Sequence, residues 1–93
     1  GNDVLAMGAL KQAKEMKLSV PNHISITGFD DIELASLAEP ELTTVHVPHK
    51  TMGKIAARML GNMMNYKKVK SHELAAELRF RGTLAPPRLL TTY

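Results

Sequence analysis

The chain has 93 residues, twelve Lys and Arg against nine Asp and Glu, a formal net charge of +3, 44% hydrophobic residues and no cysteine. Without cysteine there are no disulfides and no thiolate metal sites, and no apolar run reaches the ~20 residues of a membrane-spanning helix. The composition is ordinary for a globular domain, and the basic excess, carried by Lys50, Lys54, Arg58, Lys67, Lys68 and Lys70 in the second half, reads as a solvated face and a loop.

Asn2 and Asp3 both suit the N-cap of a helix running to about Lys17. Leu5, Ala9, Ala13 and Met16 form one apolar stripe along it, and Ala6 and Leu10 widen the stripe to a second side. A helix apolar over more than half its circumference packs against two things, a sheet and a further surface such as a partner subunit. Leu18-Ser19-Val20-Pro21 leaves the helix, and Asn22-His23 turns the chain into a strand at Ile24 to Thr27 that ends at Gly28. A short helix is expected over Asp31 to Leu37, stopped at Glu39-Pro40-Glu41. Thr43, Thr44, Val45 and Val47 make a β-rich run, and Pro48 fits the first turn of a helix from His49 to about Asn65. Met52, Ala56, Met59 and Met63 line one side of that helix and read as core; Lys50, Lys54 and Arg58 line another. A last strand is expected near Glu77 to Thr83, where Leu78 and Phe80 alternate with Arg79 and Arg81, and Pro86-Pro87 ends it. The tail from Arg88 to Tyr93 carries no structural signal. The order is that of an α/β protein.

Ligands of open α/β sheets sit at the carboxyl ends of strands, which is where Asp30 falls. An ionised carboxylate offers two acceptor oxygens to vicinal hydroxyls, and Asn2 offers both donors and an acceptor. The same two residues are equally suited to cap the helices that follow them. Other chemistries find little support. His46 and His49 are separated by Pro48, which breaks any helix that could align them on a metal. The side chains of Asp30 and Asp31, as neighbours in extended chain, point oppositely and do not pair for acid–base work. Gly53-Lys54 lacks the remainder of a phosphate-binding loop. No nucleophile with an attendant base is evident, so neither an enzyme nor a cofactor is expected.

Several local patterns occur together in one order. Asn2-Asp3 is followed by Ala6-Met7-Gly8-Ala9-Leu10, Leu18-Ser19-Val20-Pro21 and Ile24-Ser25-Ile26-Thr27-Gly28-Phe29-Asp30-Asp31. Then come Pro40, Leu42-Thr43-Thr44-Val45, Pro48, Met52-Gly53 and Arg81-Gly82-Thr83-Leu84-Ala85-Pro86-Pro87. The ordered set resembles the C-terminal part of the effector-binding domain of LacI/GalR-family transcriptional regulators. It covers almost the whole chain but only the last third or so of such a regulator, and the opening at Gly1-Asn2-Asp3 reads as that of a fragment.

The resemblance implies part of a two-lobed domain similar to periplasmic sugar-binding proteins, a type I, three-layer αβα fold with a mainly parallel sheet. It places residues 1–46 and 77–87 in the C-terminal subdomain, 47–76 in the N-terminal subdomain and 88–93 in a tail, with the DNA-binding headpiece absent from these residues. It implies a small sugar or related metabolite bound between the lobes, with Asp30 as the effector carboxylate and Asn2 as a polar contact. Many family members carry Gln where Val47 stands, so the pocket wall there becomes more apolar. The helix end at Lys17 often carries Gly in the family, and Lys is strained there if left-handed. The implied partner besides the effector is a second copy of the chain, met through Met7, Leu10, Lys11 and Lys14 with Leu34 and Leu37 nearby. Their burial in the core is the other reading of Met7 and Leu10. DNA is contacted only through the headpiece, no membrane is involved, and the expected location is the cytoplasm. The alternatives are an exported sugar-binding receptor of similar fold and an isolated self-association fragment.

Overall fold

Asn2 starts the first helix, α1 (Asp3–Glu15), in a computed structural model that describes residues 2–87. Of the two possible caps Asn2 takes the role: its Oδ1 accepts the Leu5 N–H at 3.0 Å, while Asp3 sits in the first turn, where negative charge complements the helix dipole. At the other end the Lys17 N–H donates to the Lys14 carbonyl and the Leu18 N–H to the Ala13 carbonyl, the paired bonds of a Schellman cap. Lys17 occupies the left-handed position of that cap, with φ 59°, at a cost of about 1 kcal/mol relative to glycine. The buried face of α1 differs from the stripe expected. It runs through Asp3, Ala6 and Ala13, with Leu10 half-buried, whereas Leu5 and Met16 are exposed. Small side chains let the helix axis approach its neighbours, so the larger apolar residues lie off the contact line.

The segment from Ile24 to Thr27 is not a regular strand. Ile26 donates to Thr83, Gly28 to Thr43 and Asp30 to Val45, and the pairing consists of two single parallel bridges, Thr27 with Thr43 and Asp30 with His46. Left-handed residues at 30 and 31 stop the ladder there. The expected short helix is a single 3₁₀ turn, Glu33–Ser36. The first regular strand, β1 (Thr44–His46), pairs antiparallel with β2 (Glu77–Arg79), with Thr44 opposite Arg79, Val45 opposite Leu78 and His46 opposite Glu77. The last strand was expected to continue to Thr83. Beyond Arg79 threonine hydroxyls replace the ladder: Arg81 N–H donates to Thr43 Oγ1 at 2.8 Å and Thr43 N–H to Thr83 Oγ1 at 2.9 Å.

The described chain divides into two compact units, one running up to His46 and resuming at Glu77, the other Val47–Ala76. The first unit centres on Ala6, Ala35 and Leu42, with Met7, Leu10, Ile26 and Ile32 packed on them. Beside this small apolar cluster lie four fully buried polar residues, Asp3, Thr43, Thr44 and Thr83. The second unit is built on α2 (His49–Met64), which Pro48 precedes as the capping residue instead of entering its first turn. No residue of α2 is buried. Met52 and Met63, expected in a core, are exposed, and Met59 and Ile55 are half-buried. Lys50, Lys54, Arg58, Lys67, Lys68 and Lys70 are all exposed, the solvated basic face expected of them. Residue 1 and the tail 88–93 lie outside the described residues.

Candidate functional site

The chain ends its extended run at Gly28 and turns sharply at Asp30 and Asp31, whose φ angles are 117° and 57°. Two successive non-glycine residues in the left-handed half of backbone space are strained, and such strain persists only where surroundings over-determine it. The determinants can be named. Asp30 N–H donates to the Val45 carbonyl at 2.9 Å, and Asp31 N–H reaches Thr44 Oγ1 at 3.3 Å. Ile32 N–H donates to Asp3 Oδ2 at 2.8 Å. Asp3 itself is fully buried; its Oδ1 accepts the Thr44 hydroxyl at 2.5 Å, and its own N–H donates to the Phe29 carbonyl at 3.0 Å. One buried carboxylate therefore ties the start of α1, the turn and β1 together.

The Asp31 side chain forms an ionic cluster. Its Oδ1 lies 2.8 Å from Arg81 Nη2 and its Oδ2 lies 2.9 Å from His46 Nδ1. Arg81 Nη1 donates to the Leu42 carbonyl at 2.9 Å. Burial pushes the Asp31 carboxyl up, but the hydrogen bonds and charge of Arg81 and His46 outweigh it and hold the carboxyl below its ordinary value. The expectation that Asp30 and Asp31 behave as neighbours in extended chain fails, because neither residue is extended.

The site residues expected from the sequence are distributed as follows. Asp30 is half-buried at the turn, and Asn2 is exposed at the cap of α1. Val47 is half-buried at the start of the second unit, where its carbonyl accepts the His49 N–H at 2.8 Å. On α1 Met7 and Leu10 pack against the apolar cluster of the first unit, whereas Lys11, Lys14, Leu34 and Leu37 are exposed. Asp3, Asp31, His46, Thr44 and Arg81 were not singled out as site residues. Their signal was weak: Asp3 read as a rival cap, and Arg81 as the polar half of an alternating strand. Among the described residues no three His, Cys, Asp or Glu side chains gather as a metal site requires. A concavity of about 440 Å³ at the C-terminal end of α1, lined by Leu10, Lys14, Leu18 and Pro40 among others, includes neither Asn2 nor Asp30.

The sequence pattern of a periplasmic binding protein-like domain matches residues 1–84. The repressor CytR of Escherichia coli K12 is 40% identical over 84 residues, which are 88% of this chain and 25% of CytR. Among solved structures, a LacI family transcriptional regulator from Enterococcus faecium with bound ribose superposes with a TM-score of 0.85 at 29% identity, over 94% of this chain and 33% of that one. The lac repressor dimer bound to operator and the anti-inducer ONPF gives a TM-score of 0.82 at 32% identity, over 89% of this chain and 29% of that one. The chain belongs to the periplasmic binding protein-like domain family, as the C-terminal part of the effector-binding domain of a LacI/GalR-type transcriptional regulator. It spans about a quarter of the length of the curated repressors it matches. No helix among the described residues is long and apolar enough to cross a membrane.

Proposed function

We propose that this chain is the effector-sensing and self-association segment of a cytoplasmic bacterial regulator that binds DNA through a headpiece elsewhere in the whole protein. The effector is a small polyhydroxylated metabolite, a sugar or a relative of one, held by the complete two-lobed domain. The observation that carries this reading is the strained turn that presents Asp30 at the end of the extended segment. Strain of this kind clusters at ligand sites, and a carboxylate there suits vicinal hydroxyls. The Asn2 carboxamide oxygen already caps α1, so its NH₂ group is the part that meets an effector hydroxyl. Val47 supplies an apolar patch of wall, which favours an effector with an unsubstituted face. The ribose held by the Enterococcus regulator belongs to the same chemical class. The effector acts on DNA through its unequal affinity for two arrangements of the lobes.

The test is made on the full-length protein. A panel of pentoses, hexoses and nucleosides is screened by calorimetry, and the tightest binder is titrated into Asp30→Ala. A lost charge-assisted hydrogen bond of about 1.5–3 kcal/mol predicts a fall in affinity of roughly 10- to 150-fold, with operator binding in the absence of effector unchanged. Undiminished affinity in Asp30→Ala rejects Asp30 as the effector carboxylate.

Self-association is proposed through α1 and the 3₁₀ turn, around Met7, Leu10, Lys11 and Lys14 together with Leu34 and Leu37; Met7 and Leu10 are half-buried against the apolar cluster, so the exposed Lys11, Lys14, Leu34 and Leu37 carry the contact. Leu34 is 57% and Leu37 71% exposed, so both side chains are open to a partner surface. The lac repressor relative is a dimer. Leu37→Glu is expected to weaken dimerisation at least ~10-fold by burying a charge at an apolar contact. Sedimentation at several concentrations measures this; a variant that dimerises as the native protein does removes the 3₁₀ turn from the interface.

A further inference from the structure

The turn that bears Asp30 is held by bonds of two kinds. Three are backbone amides reaching fixed acceptors, Val45 O, Thr44 Oγ1 and Asp3 Oδ2. Two more are ionic and meet at the Asp31 carboxylate, one from His46 and one from the far end of the chain: Arg81 lies fifty positions beyond Asp31, in the stretch where threonine hydroxyls have replaced the β ladder. Its backbone N–H is fixed on Thr43 Oγ1 and its Nη1 on the Leu42 carbonyl. Its Nη2 is thereby aimed at Asp31 Oδ1 with little freedom left. The side chains of Arg81 and Asp31 are only 18% and 14% exposed, so water does not substitute readily for either partner. A guanidinium suits the task because its planar fork serves a carbonyl and a carboxylate at once; an ammonium has no such fixed geometry.

From this geometry we infer that Arg81 is a positioning residue for effector binding: it clamps Asp31 to the Leu42 carbonyl and so holds the adjacent Asp30 in its strained, binding-competent turn. The effector half of this inference rests on the reading of Asp30 given above; the clamp itself does not. His46 completes the arrangement from the other side of the Asp31 carboxylate. His46 is also the last residue before the chain enters the second unit, and its ladder partner Glu77 is the first residue after it returns. The clamp thus ties the turn to the β1–β2 pair within the first unit.

The test needs no effector. In the full-length protein, hydrogen–deuterium exchange is followed in peptides covering residues 28–33, with α1 as an internal reference, for the native protein, Arg81→Met and Arg81→Lys. Arg81→Met keeps the apolar stem and removes the fork; Arg81→Lys restores the charge. Exchange in 28–33 is expected to accelerate ~10- to 100-fold in Arg81→Met, the range of a local opening made easier without global unfolding, while α1 is unchanged. Arg81→Lys recovers part of that protection. The inference is overturned if Arg81→Met protects 28–33 as the native protein does, if α1 loosens equally, or if Met and Lys behave alike. Should Arg81→Met fail to fold, Asp31→Asn removes the ion pair from the other side and is judged by the same exchange. An Asp30→Ala variant that still binds effector normally, beside an Arg81→Met variant that loosens the turn, keeps the clamp and rejects the effector reading. The reverse pair of results does the opposite.

Discussion

Asp3→Ala is expected to lower the stability of the effector-binding domain by about 3–5 kcal/mol, a large part of what a domain this size possesses. The Asp3 side chain is wholly buried and both of its oxygens are committed, one to the Thr44 hydroxyl and one to the Ile32 amide. Truncation leaves the Ile32 N–H inside the protein with no acceptor and opens a void beside Gly28. The loss falls on three elements at once, because the start of α1, the Asp30–Asp31 turn and β1 share this one carboxylate. Asp3→Asn separates hydrogen bonding from shape. Its amide oxygen accepts from Ile32, and its NH₂ donates to Thr44 Oγ1 once the hydroxyl rotates, so the cost should be about 1–2 kcal/mol. The fall in urea midpoint of the full-length protein measures both. An Asp3→Ala cost below about 1 kcal/mol, or an Asn variant as damaged as Ala, is incompatible with the shared-carboxylate account.

The helices were legible in the sequence because their determinants are local. Asn2 caps α1 within three residues, and α2 begins and ends within one or two residues of its expected limits, since Pro48 and the run of good helix formers act on their own neighbourhood. The strands were less legible. Ile24 to Thr27 has the composition of a strand, yet the Ile26 amide goes to Thr83 and the Ile24 amide back to Ser19, and only at Gly28, past the segment, does an amide reach Thr43. Thr43 and Thr83 hydroxyls take over the pairing beyond Arg79, a substitution that no alternation of apolar residues announces. The candidate site divides in the same way. Asp30 was visible because strand ends in α/β folds are where ligands sit. Asp31 was set aside on the assumption of extended geometry, and Arg81 looked like the polar half of an alternating strand. Asp3 looked like a spare cap. Each of these three acquires its role from partners 15 to 50 positions away, through Thr44, His46 and the Asp31–Arg81 pair, and a local pattern carries no record of such contacts. The face of α1 was misjudged for a related reason: close approach selects Ala6 and Ala13 for burial and leaves the bulkier Leu5 outside.

Gly28→Ala is the second change expected to be costly, and its cause is proximity, since the glycine's backbone conformation is open to any residue. A Cβ built at Gly28 would stand 2.0 Å from Asp3 Oδ1, 3.1 Å from Asp3 Cγ and 3.0 Å from Leu42 Cδ2. Leu42 is fully buried and cannot swing aside, and Asp3 cannot yield without releasing Thr44 or Ile32. Overpacking of about 1–3 kcal/mol then adds to the disturbance of one charge-assisted hydrogen bond, for a total near 3–4 kcal/mol. The mechanism makes a sharper claim than the single variant does. If the methyl group acts chiefly by displacing the Asp3 carboxylate, its cost should shrink when that carboxylate is already gone. In a double-mutant cycle of Gly28→Ala with Asp3→Ala, run in an osmolyte that keeps all four proteins folded, the pair should therefore cost at least about 1.5 kcal/mol less than the two single changes together. Additivity within about 0.5 kcal/mol, the behaviour of independent sites, would mean that Gly28 and Asp3 stabilise the turn by separate routes and that the close approach of the two is not what requires glycine there.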